Sequence, residues 1–172
     1  MSRSTGRPAL VQELKLLAAA SPVLTLAVAE SLTAGHLQAR ISAASGASTF
    51  FVGGITTYTL AQKVRHLGVD GEAARRVNSV SAEVAEQMAR GVCALFDSDL
   101  GLATTGYAEP SPGSEIVAPF AWWAAAARGK RGRFELRHGR VECPGASRVD
   151  TQMIVAEAAL TELVIWLREL RG

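Results

Sequence analysis

A three-layer α/β/α sandwich built on a mostly parallel, mixed sheet is the fold class this 172-residue sequence predicts, from three observations. Three short apolar runs, VLTLAVAE, FFVGGITTYT and DLGLATTG, are separated by stretches of helical periodicity, as parallel strands with helical crossovers require. Two further apolar runs flank the turn RGKRGR and read as a hairpin, which supplies an antiparallel strand. The chain then closes on a long segment whose apolar residues form a seam with nothing local to cover it.

Taken in order, residues 1–8 read as a flexible tail and residues 9–172 as one domain. Ala9 to Ala20 places Leu10, Leu14 and Leu17 at helical spacing, and Ser21-Pro22 ends that helix because proline disfavours helical geometry in the residue before it. Val23 to Glu30 is the first strand. Ser31-Leu32-Thr33-Ala34-Gly35 leads into the helix HLQARISAA, with Ser31 and Thr33 as capping candidates. Ser45 to Ser48 forms a turn and Phe50 to Thr59 the second strand, where Gly53-Gly54 signals a bulge or a close backbone approach. Short helices follow over Leu60 to Leu67 and Glu72 to Val77. Ser81 opens a firmer one, with Val84, Met88, Val92 and Leu95 on one face. Asp99 to Gly106 is the third strand, the loop YAEPSPGSE is irregular, and Ile116 to Ala127 with Phe134 to Val141 make the hairpin. In the last helix, Val149 to Leu170, the seam is Val149, Met153, Ala156, Leu160, Leu163, Leu167 and Leu170.

Composition narrows the function. Hydrophobic residues make up 48% and charged residues 20%, the balance of a soluble globular domain. With 18 Lys+Arg against 16 Asp+Glu, the net charge of +2 is too small for a dedicated nucleic-acid binder. The basic RGKRGR stretch is what a solvated hairpin turn carries. No apolar run spans a bilayer and the start MSRSTGR lacks a signal-peptide core, so a cytoplasmic protein without a membrane partner is expected. Cys93 and Cys143 stand far apart without ligand spacing, and neither a disulfide framework nor a metal site is expected.

Ligands of open α/β sheets bind beyond the carboxyl ends of the strands. Three such ends here carry hydroxyls: Glu30-Ser31-Leu32-Thr33, Thr56-Thr57-Tyr58-Thr59 and Thr104-Thr105-Gly106-Tyr107. Lys63 follows Thr59 by one helical turn and can point back into the same crevice. Serine becomes nucleophilic only when a base takes its proton, and a desolvated lysine can be that base. His36, His66 and His138 are scattered, and no Ser-His-Asp set is offered. Each residue alone has a plainer reading: Ser31 and Thr33 as caps, Lys63 as a surface charge, Tyr58 as packing.

The ordered segments AESLTAG, GASTFFVGGITTYTLAQK, LGV, VSAEVAEQMA and TTGYAEP resemble the CinA C-terminal family, the nicotinamide-mononucleotide deamidases. That family typically shows A-E-S-C-T-G-G, a G-A-S turn before a strand ending in Y-S-N-x-x-K, then L-G-V, A-V-S-E-x-V and S/T-G-I-A-G-P. The resemblance runs from about Ala29 to Pro110. It implies a mixed-sheet sandwich, a homodimer, no cofactor, a small-molecule nucleotide or nucleoside amide as partner, and hydrolysis of the carboxamide of nicotinamide mononucleotide to nicotinate mononucleotide and ammonia. Carried over by position, it implies Ser31, Lys63 and Tyr58 as catalytic, with Glu30, Thr33, Ser48, Thr105, Gly106 and Arg148 around the substrate. Ser31 would attack the carboxamide carbon, Lys63 would move the proton, and Tyr58 or a backbone N–H would hold the oxyanion. Ser48 is the rival nucleophile.

The departures from that pattern are specific. Leu32 and Ala34 replace the usual cysteine and first glycine, and Leu60 and Ala61 stand where polar residues precede the lysine. Glu109 replaces a glycine. A carboxylate ~4 Å from a phosphate charge at an effective dielectric near 20 costs about 4 kcal/mol. The family's G-D-R turn has become Gly145-Ala146-Ser147-Arg148, which leaves Arg148 as a stand-in shifted by one residue. These changes argue for an altered substrate such as a nucleoside. The competing reading is a catalytically silent ligand-binding or protein-interaction module, with Trp122 and Trp123 as exposed aromatics.

Overall fold

The computed structural model describes residues 10–111 and 113–172; the tail expected over residues 1–8 lies outside them. Among the described residues, six α-helices and five strands follow in the order α1 (Leu10–Ala18), β1 (Leu26–Glu30), α2 (His36–Ser42), β2 (Phe51–Thr56), α3 (Leu60–Leu67), α4 (Gly71–Arg76), α5 (Ala82–Phe96), β3 (Leu100–Tyr107), β4 (Phe120–Arg128), β5 (Phe134–Glu142) and α6 (Arg148–Arg171). The sheet order is β2-β1-β3-β4-β5. The first three strands are mutually parallel and the hairpin strands antiparallel, as the sequence predicts.

Alternation along the strands builds two unlike faces. Leu26 and Val28 of β1 and Leu100 and Leu102 of β3 point to one face, where they pack under Leu14, Leu37, Ile41, Leu160, Leu163 and Leu167 of α1, α2 and α6. Ala27, Ala29, Ala103, Ala124 and Ala126 point to the other, against Leu67, Val84, Met88 and Val92 of α3 and α5. Small residues on that second face let α5 sit close. A Cβ at Gly101 of β3 would lie 2.1 Å from the Ala89 carbonyl oxygen. Gly53 of β2, at φ +149°, combines both readings the Gly-Gly pair suggested: the register with β1 shifts there, and a Cβ would strike the Phe96 ring at 2.7 Å.

Several boundaries differ from the sequence reading. β2 ends at Thr56, because the Thr57 and Tyr58 carbonyls turn toward the Lys63 ammonium instead of extending the ladder. Residues 116–119 stay outside β4, where Val117 is exposed and the Pro119 carbonyl accepts from Cys143 N–H. In α6 only the middle of the expected seam, Ala156 to Leu167, is buried. Val149, Met153 and Leu170 are exposed, since a 3.6-residue period drifts from the four-and-three spacing and brings Val155 and Ala159 inward. Trp123 is buried in the core and Trp122 is partly covered, which removes the exposed aromatic pair the sequence suggested. No helix among the described residues is long and apolar enough to cross a membrane.

Candidate active site

From β1 the chain moves to β2 on one side and then crosses back to β3 on the other. The carboxyl ends of β1 and β3 therefore part at a switch in direction, which opens a crevice. This crevice, about 480 Å³, is lined by Ser31, Tyr58, Lys63, Arg75, Thr105 and Arg148 among others.

Lys63 defines its floor. The side chain is 2% exposed, and Nζ donates to Ser31 Oγ at 2.9 Å, to the Thr57 carbonyl at 3.0 Å and to the Tyr58 carbonyl at 3.4 Å. It has no carboxylate partner among the described residues. Desolvation disfavours the ammonium and pushes its pKa down from the usual 10.5 to about 8. Roughly a tenth of the lysines are then neutral at pH 7, enough to serve as a base. Ser31 follows the last residue of β1, where its N–H donates to the Thr104 carbonyl at 3.1 Å and ties it to β3. A serine and a neutral lysine in direct contact at the edge of a crevice can perform nucleophilic acyl chemistry without histidine.

Glu30 has a different place from the one expected. It is fully buried, and its carboxylate accepts from the N–H groups of Gly35 at 2.9 Å, Leu37 at 3.1 Å and Gln38 at 3.0 Å, and from Gln38 Nε2 at 3.1 Å. It caps α2, the role the sequence assigned to Ser31 or Thr33, because the left-handed Ala34 and Gly35 turn the helix start toward it. Thr33 is also buried, with its hydroxyl 2.8 Å from that of Thr104. Both stiffen the Ser31 loop without lining the crevice. Ser48 is exposed in the turn Ala47–Thr49, before β2 begins. That is the amino end of β2, whereas Lys63 follows its carboxyl end in α3, so Ser48 and Lys63 are at opposite ends of the strand.

Thr105 lines the crevice, and its hydroxyl donates to the Ser79 carbonyl at 2.7 Å. Gly106 lines it too. A Cβ there would sit 2.4 Å from the Phe120 carbonyl oxygen, so a side chain would push β4 away. Tyr58 is half-exposed at the rim, where its hydroxyl accepts from Arg148 Nη2 at 2.6 Å. Arg148 Nη1 donates to Glu109 at 2.6 Å. Ser147 Oγ accepts from Asp150 N–H at 3.1 Å and caps α6, which puts Arg148 at the first helical position, where it lines the crevice.

Arg75, Asn78 and Ser79 also line the crevice, and sequence reasoning missed them. Arg75 comes from the last turn of α4, and Asn78 and Ser79 from the turn that follows it. The signal available was Asn78-Ser79, a pair suited to left-handed backbone, which both residues adopt at φ 50° and 62°.

The CinA C-terminal domain profile matches residues 10–167, nearly the whole chain. The chain belongs to the CinA C-terminal domain family. A CinA-like protein of Chlorobium limicola is 37% identical over 151 residues, covering 87% of this chain and 35% of that protein. Another, from Acaryochloris marina, is 50% identical over 91 residues, covering 53% of this chain and 22% of its own length. The chain thus spans about a fifth to a third of the curated relatives it matches. Among solved structures, a CinA superfamily protein from Enterobacter cloacae superposes with a TM-score of 0.83 at 25% identity, covering 97% of this chain and 98% of that one. The competence/damage inducible protein CihA from Agrobacterium tumefaciens gives 0.79 at 26% identity, with 98% and 99% covered. Family membership and the α/β sandwich inferred from AESLTAG onward are both borne out.

Proposed function

We propose that this CinA-family chain is a serine–lysine amidohydrolase acting on the carboxamide of a nicotinamide nucleotide or nucleoside. The observation that carries the reading is the buried Lys63 ammonium, 2.9 Å from Ser31 Oγ and without a carboxylate partner among the described residues. Burial of a lone cation is costly. A structural role would be met as well by an uncharged residue, whereas base catalysis needs this desolvation.

Neutral Lys63 takes the Ser31 proton as Oγ attacks the carboxamide carbon. The tetrahedral oxyanion would be held by the Tyr58 hydroxyl or a backbone N–H such as that of Leu32; both residues line the crevice. Collapse breaks the C–N bond, Lys63 returns its proton to the leaving nitrogen, and ammonia departs. Water, deprotonated by Lys63, then attacks the Ser31 ester; the C–Oγ bond breaks, Lys63 returns the proton to Ser31 Oγ, and the carboxylic acid departs. The test is ammonia release from nicotinamide mononucleotide and its riboside by the native chain and by Lys63→Ala. Turnover of either compound that disappears in the variant is expected; a folded native chain that hydrolyses neither would overturn the proposal.

A further inference from the structure

We propose that Glu109 is a built-in counter-anion that occupies Arg148 and so turns the crevice toward substrates lacking a terminal phosphate. For the identity of the amide this rests on the amidohydrolase reading; for the contact itself it does not. Arg148 Nη1 donates to Glu109 at 2.6 Å and Nη2 to the Tyr58 hydroxyl at 2.6 Å, and all three residues line the same crevice as Ser31 and Lys63.

A guanidinium offers five N–H donors, and a pair of them fits a carboxylate or a phosphate alike. Here Nη1 already holds the Glu109 carboxylate and Nη2 the Tyr58 hydroxyl. A phosphate that takes both Nη groups of Arg148 displaces Glu109, so it exchanges one anion for another and gains little. The displaced carboxylate, released beside a multiply charged ligand, then repels it. A riboside carries no such anion and leaves the pair intact. The anticipated direct clash between Glu109 and a phosphate is therefore softened by Arg148, but Arg148 is spent in softening it. Arg75 lines the crevice with no ion-pair partner among the described residues, and it accounts for whatever anion affinity the native chain retains.

The experiment is calorimetric titration with ribose 5-phosphate, which carries the phosphate and has no amide to hydrolyse. Glu109 is exposed and its ion pair contributes little to stability, so Glu109→Gln keeps the fold. Glu109→Gln is expected to bind ribose 5-phosphate about tenfold more tightly than the native chain, and the gain is expected to vanish in Glu109→Gln/Arg148→Ala. Equal affinities in the native chain and Glu109→Gln overturn the proposal, as does a gain that survives loss of Arg148. In a Ser31→Ala background, the mononucleotide is expected to gain the same factor over its riboside when Glu109 is replaced. If neither nicotinamide compound binds while the ribose 5-phosphate gain stands, the choice of amide fails and the role of Glu109 is upheld.

Discussion

Ser31 and Lys63 are separated by 32 positions, yet their reactive atoms share a 2.9 Å hydrogen bond. Ser31→Ala and Lys63→Ala are each expected to lower kcat for ammonia release by about a thousandfold, the scale at which a nucleophile or its base contributes. Ser48→Ala is expected to stay within about twofold of native, because that side chain is at the amino edge of the sheet. Activity that survives loss of Ser31 and dies with Ser48 would reverse this assignment. The pH profile follows from the Lys63 pKa of about 8. Only the neutral amine accepts a proton, so kcat/KM should rise roughly fivefold from pH 7 to pH 8 and level off above about pH 9. A flat profile over that range would rule out Lys63 as the base. Position brought the two to one crevice in the sequence, since Ser31 follows a strand end and Lys63 sits one helical turn into α3, while their roles came from the family resemblance. The Glu109–Arg148 contact was not legible, because it joins β3's exit to the start of α6 and depends on how Ser147 caps that helix.

The elements hold the dyad through caps and close approaches. Glu30 joins β1 to α2 by accepting hydrogen bonds from three backbone amides and one side chain. Glu30→Ala would leave those donors buried without an acceptor, and urea unfolding should register a loss of about 3 kcal/mol. Because Ser31 is the next residue, kcat should fall as well. A variant as stable as the native chain would show that the cap is redundant. Gly101 sets the spacing of the second layer. Gly101→Ala drives a methyl into the Ala89 carbonyl and the Cys93 thiol, and is expected to lower stability by about 2 kcal/mol, measurable as a reduced denaturation midpoint. The sequence marked the start of α2 by Ser31 and Thr33 as capping candidates and that of α5 by Ser81 before an apolar face. It could not point to Glu30 as the cap of α2, since that choice depends on the left-handed turn at Ala34 and Gly35.

For the whole molecule, the buried Lys63 links the proposed catalysis to stability. Its folded pKa is about 8 against the usual 10.5. Below pH 8 the lysine is charged in both states and the desolvation penalty stands in full. Between pH 8 and 10.5 the unfolded chain binds a proton that the folded chain does not, so stability rises with pH, by roughly 3 kcal/mol over the whole window. Cys93 acts in the opposite sense. Burial raises its thiol from 9.0 to about 11, so across that interval the unfolded chain loses its proton first and stability falls. Lys63→Met separates the two effects. Measured by denaturant unfolding from pH 7 to 10.5, the native chain should gain stability relative to the variant as pH rises, and parallel curves would refute the shift.

By itself, the sequence determined the layered α/β architecture, the parallel core strands, the hairpin and the three strand ends that carry hydroxyls. These follow from periods of 2 and 3.6 residues and from local turn chemistry, which any short window contains. Tertiary structure alone decided which of those polar groups meet. It put Glu30 and Thr33 to structural use, left Ser48 at the amino end of β2, and brought in Arg75, Asn78 and Ser79 from α4 and the turn after it. It also joined Arg148 to both Glu109 and Tyr58. Desolvation and pairing depend on everything that surrounds a side chain, and for Lys63 and Arg148 that surrounding is assembled from elements distant in the chain.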